Sequence, residues 1–156
     1  MKKKLLCLLA LMLTPVIGMS TTQPKFSIVP LSLNANVIDI SSAASTTVTY
    51  QVTNNTSVSR ALTMVPLLGI SLNTQTAGAC SNPFVLSSGA SCLLNLVING
   101  SQLPLNGIKS GPEVCKSDNP GNVPSPFLCS QPSQDQQLTL ETVRPLLYTT
   151  NLGSDN

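Results

Sequence analysis

Between Thr46 and Thr53 apolar and polar side chains alternate strictly, Val48, Tyr50 and Val52 against Thr47, Thr49, Gln51 and Thr53. A period of two built on β-branched residues predicts a strand with one buried and one wet face. Asn54-Asn55-Thr56-Ser57 supplies the turn that ends it. Leu62 and Met64 resume the alternation up to Pro66, and the apolar run Leu67–Leu72 around Gly69 predicts a further strand. Phe26, Ile28, Leu31 and Leu33 fit an edge strand interrupted at Pro30, because proline removes a ladder donor. Val37–Ile40 is a second short strand, followed by a small-residue turn over Ser41–Ser45. Phe84-Val85-Leu86 is another, closed by Ser87-Ser88-Gly89-Ala90. From Cys92 onward Leu94, Leu96 and Ile98 share one face and Leu93 and Val97 the other. That strand therefore reads as buried on both sides, with Asn99-Gly100 at its end.

Residues 101–137 differ in kind. They hold six of the twelve prolines, three glycines and two cysteines, and read as a long loop, an excursion tied down by its cysteines. Leu138 and Leu140 against Thr139 and Glu141 predict a closing strand, and 144–156 reads as a tail. No stretch carries an apolar 3.6-residue period over three turns. Short strands joined by polar, proline-rich connections predict an all-β sandwich, and about 136 residues suffice for seven or eight strands.

The first twenty residues follow another rule. Lys2-Lys3-Lys4 precedes an almost wholly apolar run from Leu5 to Gly18, too short to span a hydrocarbon core of roughly 30 Å. Pro15 and the small residues Gly18 and Ser20 complete the pattern of a cleaved secretion signal over 1–20, cut after Ser20 or, as second choice, after Gly18. A short membrane anchor and a buried N-terminal helix are the alternatives. Cys7 lies too early for a lipobox and leaves with the signal. The formal net charge of +2 then becomes −1, five cations against six carboxylates, so the basic balance belongs to export and not to a partner. The mature chain has no stable membrane insertion, and its address is extracytoplasmic, periplasmic or secreted.

Cleavage also leaves four cysteines, Cys80, Cys92, Cys115 and Cys129. An even, spaced set in an exported chain predicts two disulfides. Three connectivities are open, of which the nearest-neighbour scheme is Cys80–Cys92 with Cys115–Cys129. A zinc site would need Cys-x-x-Cys pairs or histidine partners, and the sequence has neither.

Composition removes most chemistry. Fifty-six Ser, Thr, Asn and Gln outnumber fourteen charged residues, which describes a polar β surface. Without histidine there is no Ser-His-Asp or Cys-His site. A Ser-Lys dyad would have to use Lys25, Lys109 or Lys116, all in polar or turn-rich surroundings. Glu113 and Asp118 share the long loop, where solvated charges are the simpler reading than a carboxylate pair. There is no Gly-Lys-Thr/Ser phosphate loop. Few cations and few aromatics exclude an ordinary nucleic-acid surface. Asn54-Asn55-Thr56, Asn55-Thr56-Ser57 and Asn99-Gly100-Ser101 match a glycosylation triplet, but fit turns at least as well. No catalytic residue, metal or cofactor is expected.

Three pieces of the middle of the chain resemble a bacterial immunoglobulin-like domain of the Hydin/MSP type. They are Val48–Thr56, ending a strand in Thr-Asn; Gly78–Leu86, with Cys80 and Phe84-x-Leu86; and Gly89-Ala90-Ser91-Cys92-Leu93-Leu94. Gly111–Cys115 and Cys129–Ser133 are also similar to secreted gammaproteobacterial proteins built on this domain. The resemblance covers about half of the mature chain. It implies one immunoglobulin-like sandwich over 21–143, with the long loop 101–137 attached, and a Cys80–Cys92 pair. Since a fold does not fix a function, the expectation is a non-enzymatic extracytoplasmic module that binds a protein partner at the envelope or outside the cell, or serves a structural role there. The alternative is a secreted factor acting on a host or environmental surface, carbohydrate or lipid.

Overall fold

The computed structural model describes residues 23–31, 37–118 and 122–143, and the expected signal peptide 1–20 and tail 144–156 lie outside them. The described chain is all-β. A first sheet consists of β1 (Phe26–Pro30), β3 (Ser45–Asn54), β7 (Ser91–Asn99) and β5 (Ile70–Leu72), in the order β1-β3-β7-β5 and antiparallel throughout. The alternation in β3 does what its period requires. Val48, Tyr50 and Val52 are buried and stand opposite Leu96, Leu94 and Cys92 of β7. β1 is an edge strand ending at Pro30, and only the second half of the run Leu67–Leu72 becomes β5.

On β7, Leu94, Leu96 and Ile98 are fully buried, while Leu93 and Val97 on the other face are half-buried. Asn95 shares that second face and is buried as well. It accepts from the Thr49 hydroxyl (2.8 Å) and its amide donates to Thr76 Oγ1 (2.7 Å), so the loop after β5 folds over it.

A second antiparallel sheet runs β10 (Val123–Ser130), β9 (Val114–Asp118), β4 (Arg60–Met64), β6 (Phe84–Leu86). A third, smaller sheet places β11 (Thr139–Val143) between β2 (Val37–Ser41), to which it is parallel, and β8 (Ile108–Lys109), to which it is antiparallel. Side chains from all three sheets meet in one core. Phe26, Tyr50 and Leu96 come from the first sheet, Leu62, Phe84 and Val114 from the second, and Ile40, Ile108 and Leu140 from the third. The arrangement is that of a sandwich, in which each sheet hides its apolar face against another.

The long loop expected over 101–137 is corrected by this structure. The segment supplies β8, β9 and β10, and β9 is an interior strand between β4 and β10. The prolines that argued against strands are placed where a ladder tolerates them. Pro124 and Pro126 lie in β10, an edge strand, beside a register shift between Pro124 and Cys129. Pro112 sits in the break between β8 and β9. Across that break Leu138 N donates to Gly111 O (2.8 Å), joining the third sheet to the second. Gly107 turns the chain into β8 at φ +68°, and a Cβ there would collide with the Leu140 carbonyl, so the turn admits only glycine.

Tyr50 locks the layers together. Its ring is fully buried and its hydroxyl donates to Gln136 O (3.1 Å), in the 3₁₀ turn before β11. Burial pushes the phenol up to about 12. A folded-state value above the unfolded one means the contribution is complete below about pH 10 and is lost as pH rises toward about 12. A Tyr148→Phe variant leaves Tyr50 as the only tyrosine. Its absorbance at about 295 nm is expected to titrate together with unfolding above pH 10. A phenol that ionises near pH 10 in a protein that stays folded would contradict this.

Candidate functional site

Cys80, Cys92, Cys115 and Cys129 form two disulfides, Cys80–Cys92 and Cys115–Cys129. The first ties the segment before β6 to β7, beside the single bridge between Ala79 and Leu93. The second joins residues directly opposite each other on β9 and β10. Glu113, Cys115 and Cys129 are the one place among the described residues where possible metal-ligating atoms gather, within 4.8 Å of one another. Both sulfurs are in a disulfide and offer no thiolate, so the donor set does not suit a metal.

The acids and lysines weighed for chemistry are spread out. Lys109 pairs with Glu141 at 3.6 Å on the surface. Lys116 hydrogen-bonds Asp118 at 2.9 Å and holds its carboxyl below the usual carboxylate range. Among the described residues no serine hydroxyl touches a lysine ammonium, and Glu113 is on the far side of β9 from the Asp118 end. The triplet asparagines serve turns. Asn99 accepts from Ser101 N (3.1 Å) and Oγ (2.8 Å) at the 3₁₀ turn after β7, and Asn55 donates to Pro24 O (3.0 Å).

Two surface features remain. The first is β10. Its bulged stretch between Pro124 and Cys129 carries Phe127 at 94% exposure, with Val123 of the same strand 56% exposed. The opposite end of β10 is laced to the first sheet, where Phe26 N donates to Ser130 Oγ (3.1 Å). The second feature is a cleft of about 430 Å³ between the start of β1, the β3–β4 turn and β10, lined by Lys25, Asn55, Ser57, Arg60 and Leu128 among others. A smaller, more apolar hollow of about 330 Å³ lies between β4 and β5, against Met64, Ile70 and Leu72.

Sequence reasoning expected two disulfides, with the observed pairing as its nearest-neighbour scheme, but missed the strands of 101–137 and the cleft. Lys25 and Arg60 are thirty-five positions apart and each alone looks like a solvated charge. It also missed the role of Asn54. That side chain is fully buried, donates to Val58 O (2.9 Å), Leu86 O (2.9 Å) and Ser87 O (3.2 Å), and accepts from Thr56 N (3.0 Å) and Oγ1 (2.7 Å). The Thr-Asn pair at the end of β3 was the available signal. No family model, curated protein or solved structure matches the chain.

Proposed function

We propose that the chain is an exported, non-enzymatic immunoglobulin-like module that binds a protein partner at the envelope or outside the cell. The fold supports the first half of this reading. β1, β3, β7 and β5 are ordered as strands A, B, E and D of an immunoglobulin sheet, and β4, β9 and β10 as C, F and G, with the letters running in chain order. β6 departs from that plan, since it falls between D and E in the chain yet pairs with C. Two disulfides fit an oxidising compartment. Among the described residues no helix is long and apolar enough to cross a membrane.

Phe127 carries the second half. The backbone of Phe127 is held on a bulged edge strand between Pro126 and a disulfide, while its ring stands almost wholly in water without gaining burial. Aromatic side chains are frequent anchors of protein interfaces, and truncating one costs about 2 kcal/mol of binding or more. The remaining aromatics among the described residues, Phe26, Tyr50 and Phe84, are buried, so Phe127 is the one exposed ring among them.

The test is a photo-crosslinker at position 127 in exporting cells, with the exposed Gln51 on the first sheet as control site. Crosslinks to one protein from 127 and not from 51 are expected. Phe127→Ala should weaken capture of that protein by about thirtyfold, while the folding stability stays within about 0.5 kcal/mol. Equal crosslinking from both sites, or capture unchanged by the substitution, rejects the reading.

A further inference from the structure

Four cations lie among the described residues, and two of them, Lys109 and Lys116, are paired with carboxylates. The other two, Lys25 and Arg60, have no carboxylate partner and line the same cleft of about 430 Å³. No acid lines it. Its other walls are amides and hydroxyls of Gln23, Asn55, Thr56 and Ser57, with Leu128 as one apolar wall. Like charges sharing a concave wall repel, and in a chain with net charge −1 after signal removal they are not brought together by a general excess of cations. Arg60 adds a second, independent sign. Its Nε–H is buried and has no acceptor among the described residues. Buried donors are nearly always satisfied, so the guanidinium lacks a partner that its neighbours do not supply.

We propose that this cleft is an oxyanion site, taking one carboxylate or phosphate group between Lys25 and Arg60. Arg60, which lines the cleft, offers the anion the N–H donors of its guanidinium. Lys25, exposed at the start of the chain's first strand, adds a mobile ammonium from the other side. The cleft is larger than a bare anion needs and falls in the size range of small-molecule sites, so the group arrives as part of a larger molecule. The Asn54 hydrogen bonds fix the β3–β4 turn that forms one wall. The site does not depend on the reading of Phe127.

The chain has only two arginines, Arg60 and Arg144, so the arginine Nε–H signals of the 15N-labelled exported protein number two, and Arg144→Lys identifies the one from Arg60. That signal is followed while inorganic phosphate, glycerol phosphate or a short peptide of aspartates is added separately, up to about 10 mM, where even a millimolar site is largely filled. A saturating shift in at least one arm is expected, and the tightest arm tells a phosphate-bearing ligand from a carboxylate-bearing one. Lys25→Met, at an exposed position, should weaken that binding about tenfold at low salt, and Arg60→Met, which keeps the apolar stem, at least as much; that variant has lost the Arg60 signal, so its shift is read from the side-chain amide of Asn55 in the same cleft. No shift in any arm overturns the proposal. So does a shift that both substitutions leave in place, since the anion then binds elsewhere.

Discussion

Replacing Cys80, Cys92, Cys115 and Cys129 with alanine is expected to lower the unfolding free energy by about 5–6 kcal/mol and leave the chain largely unfolded at 37 °C. The disulfides close spans of 12 and 14 residues, each worth about 3 kcal/mol if their effect is to restrict the unfolded chain. They sit on different sheets and share no partner, so their contributions should add. A domain of this size has about 5–15 kcal/mol in all, so little remains when both are gone. The two differ in what they hold. Cys115–Cys129 joins strands that are already paired, next to the register shift that frees Phe127. Cys80–Cys92 holds a segment that otherwise meets β7 through one bridge and a few backbone bonds, Cys80 N to Leu93 O (2.8 Å) among them. Removing the first pair should therefore loosen the proposed binding edge before the fold. Removing the second should open the core where Cys80 is buried beside β7. Urea unfolding of oxidised and reduced protein, with thiols counted, measures the sum. A reduced chain within about 1 kcal/mol of the oxidised one would falsify this assignment of stability to the staples.

The same comparison shows what local pattern reveals. β3 was legible because it buries one face for many residues, which writes itself as alternation, and β7 because a long apolar run with both faces covered still reads as a strand. β9 and β10 were hidden in 101–137 for a physical reason. β9 has buried residues at both Val114 and Cys115, so it shows no clean period, and it is held as a strand by β4 and β10 on either side. β10 is an edge strand that can carry two prolines because its bulge has no ladder to break. The parallel pairing of β2 with β11 joins Val37 to Thr139, a choice made by the packed core and invisible to any window of sequence. The cleft was hidden in the same way, because Lys25 and Arg60 meet only when Asn55 N bonds Lys25 O (3.0 Å) and the turn to β4 folds beside it.

That turn is the subject of the other large effect. Asn54→Ala should cost about 3–5 kcal/mol, more than most single substitutions in a core. The alanine would remove the two N–H groups that the Val58, Leu86 and Ser87 carbonyls share, and the two bonds accepted from Thr56. The Leu86 bond is wholly buried, so its carbonyl would have no water to turn to. A buried group left without its partner costs about 1–3 kcal/mol, and two such losses already reach the expected range. The order of a small series separates this account from simple cavity formation. Asn54→Asp is the closest in shape, yet it should be at least as damaging as alanine, because a carboxylate has no N–H for the three carbonyls and would face them as an anion. Thr56→Val, which removes only the hydroxyl bonds at a half-buried site, should cost about 1 kcal/mol. Denaturant unfolding of the three variants tests the series. If aspartate is tolerated better than alanine by 1 kcal/mol or more, on the order of one lost buried bond, the side-chain amide is not what ties β3 to β6, and the cavity account takes its place.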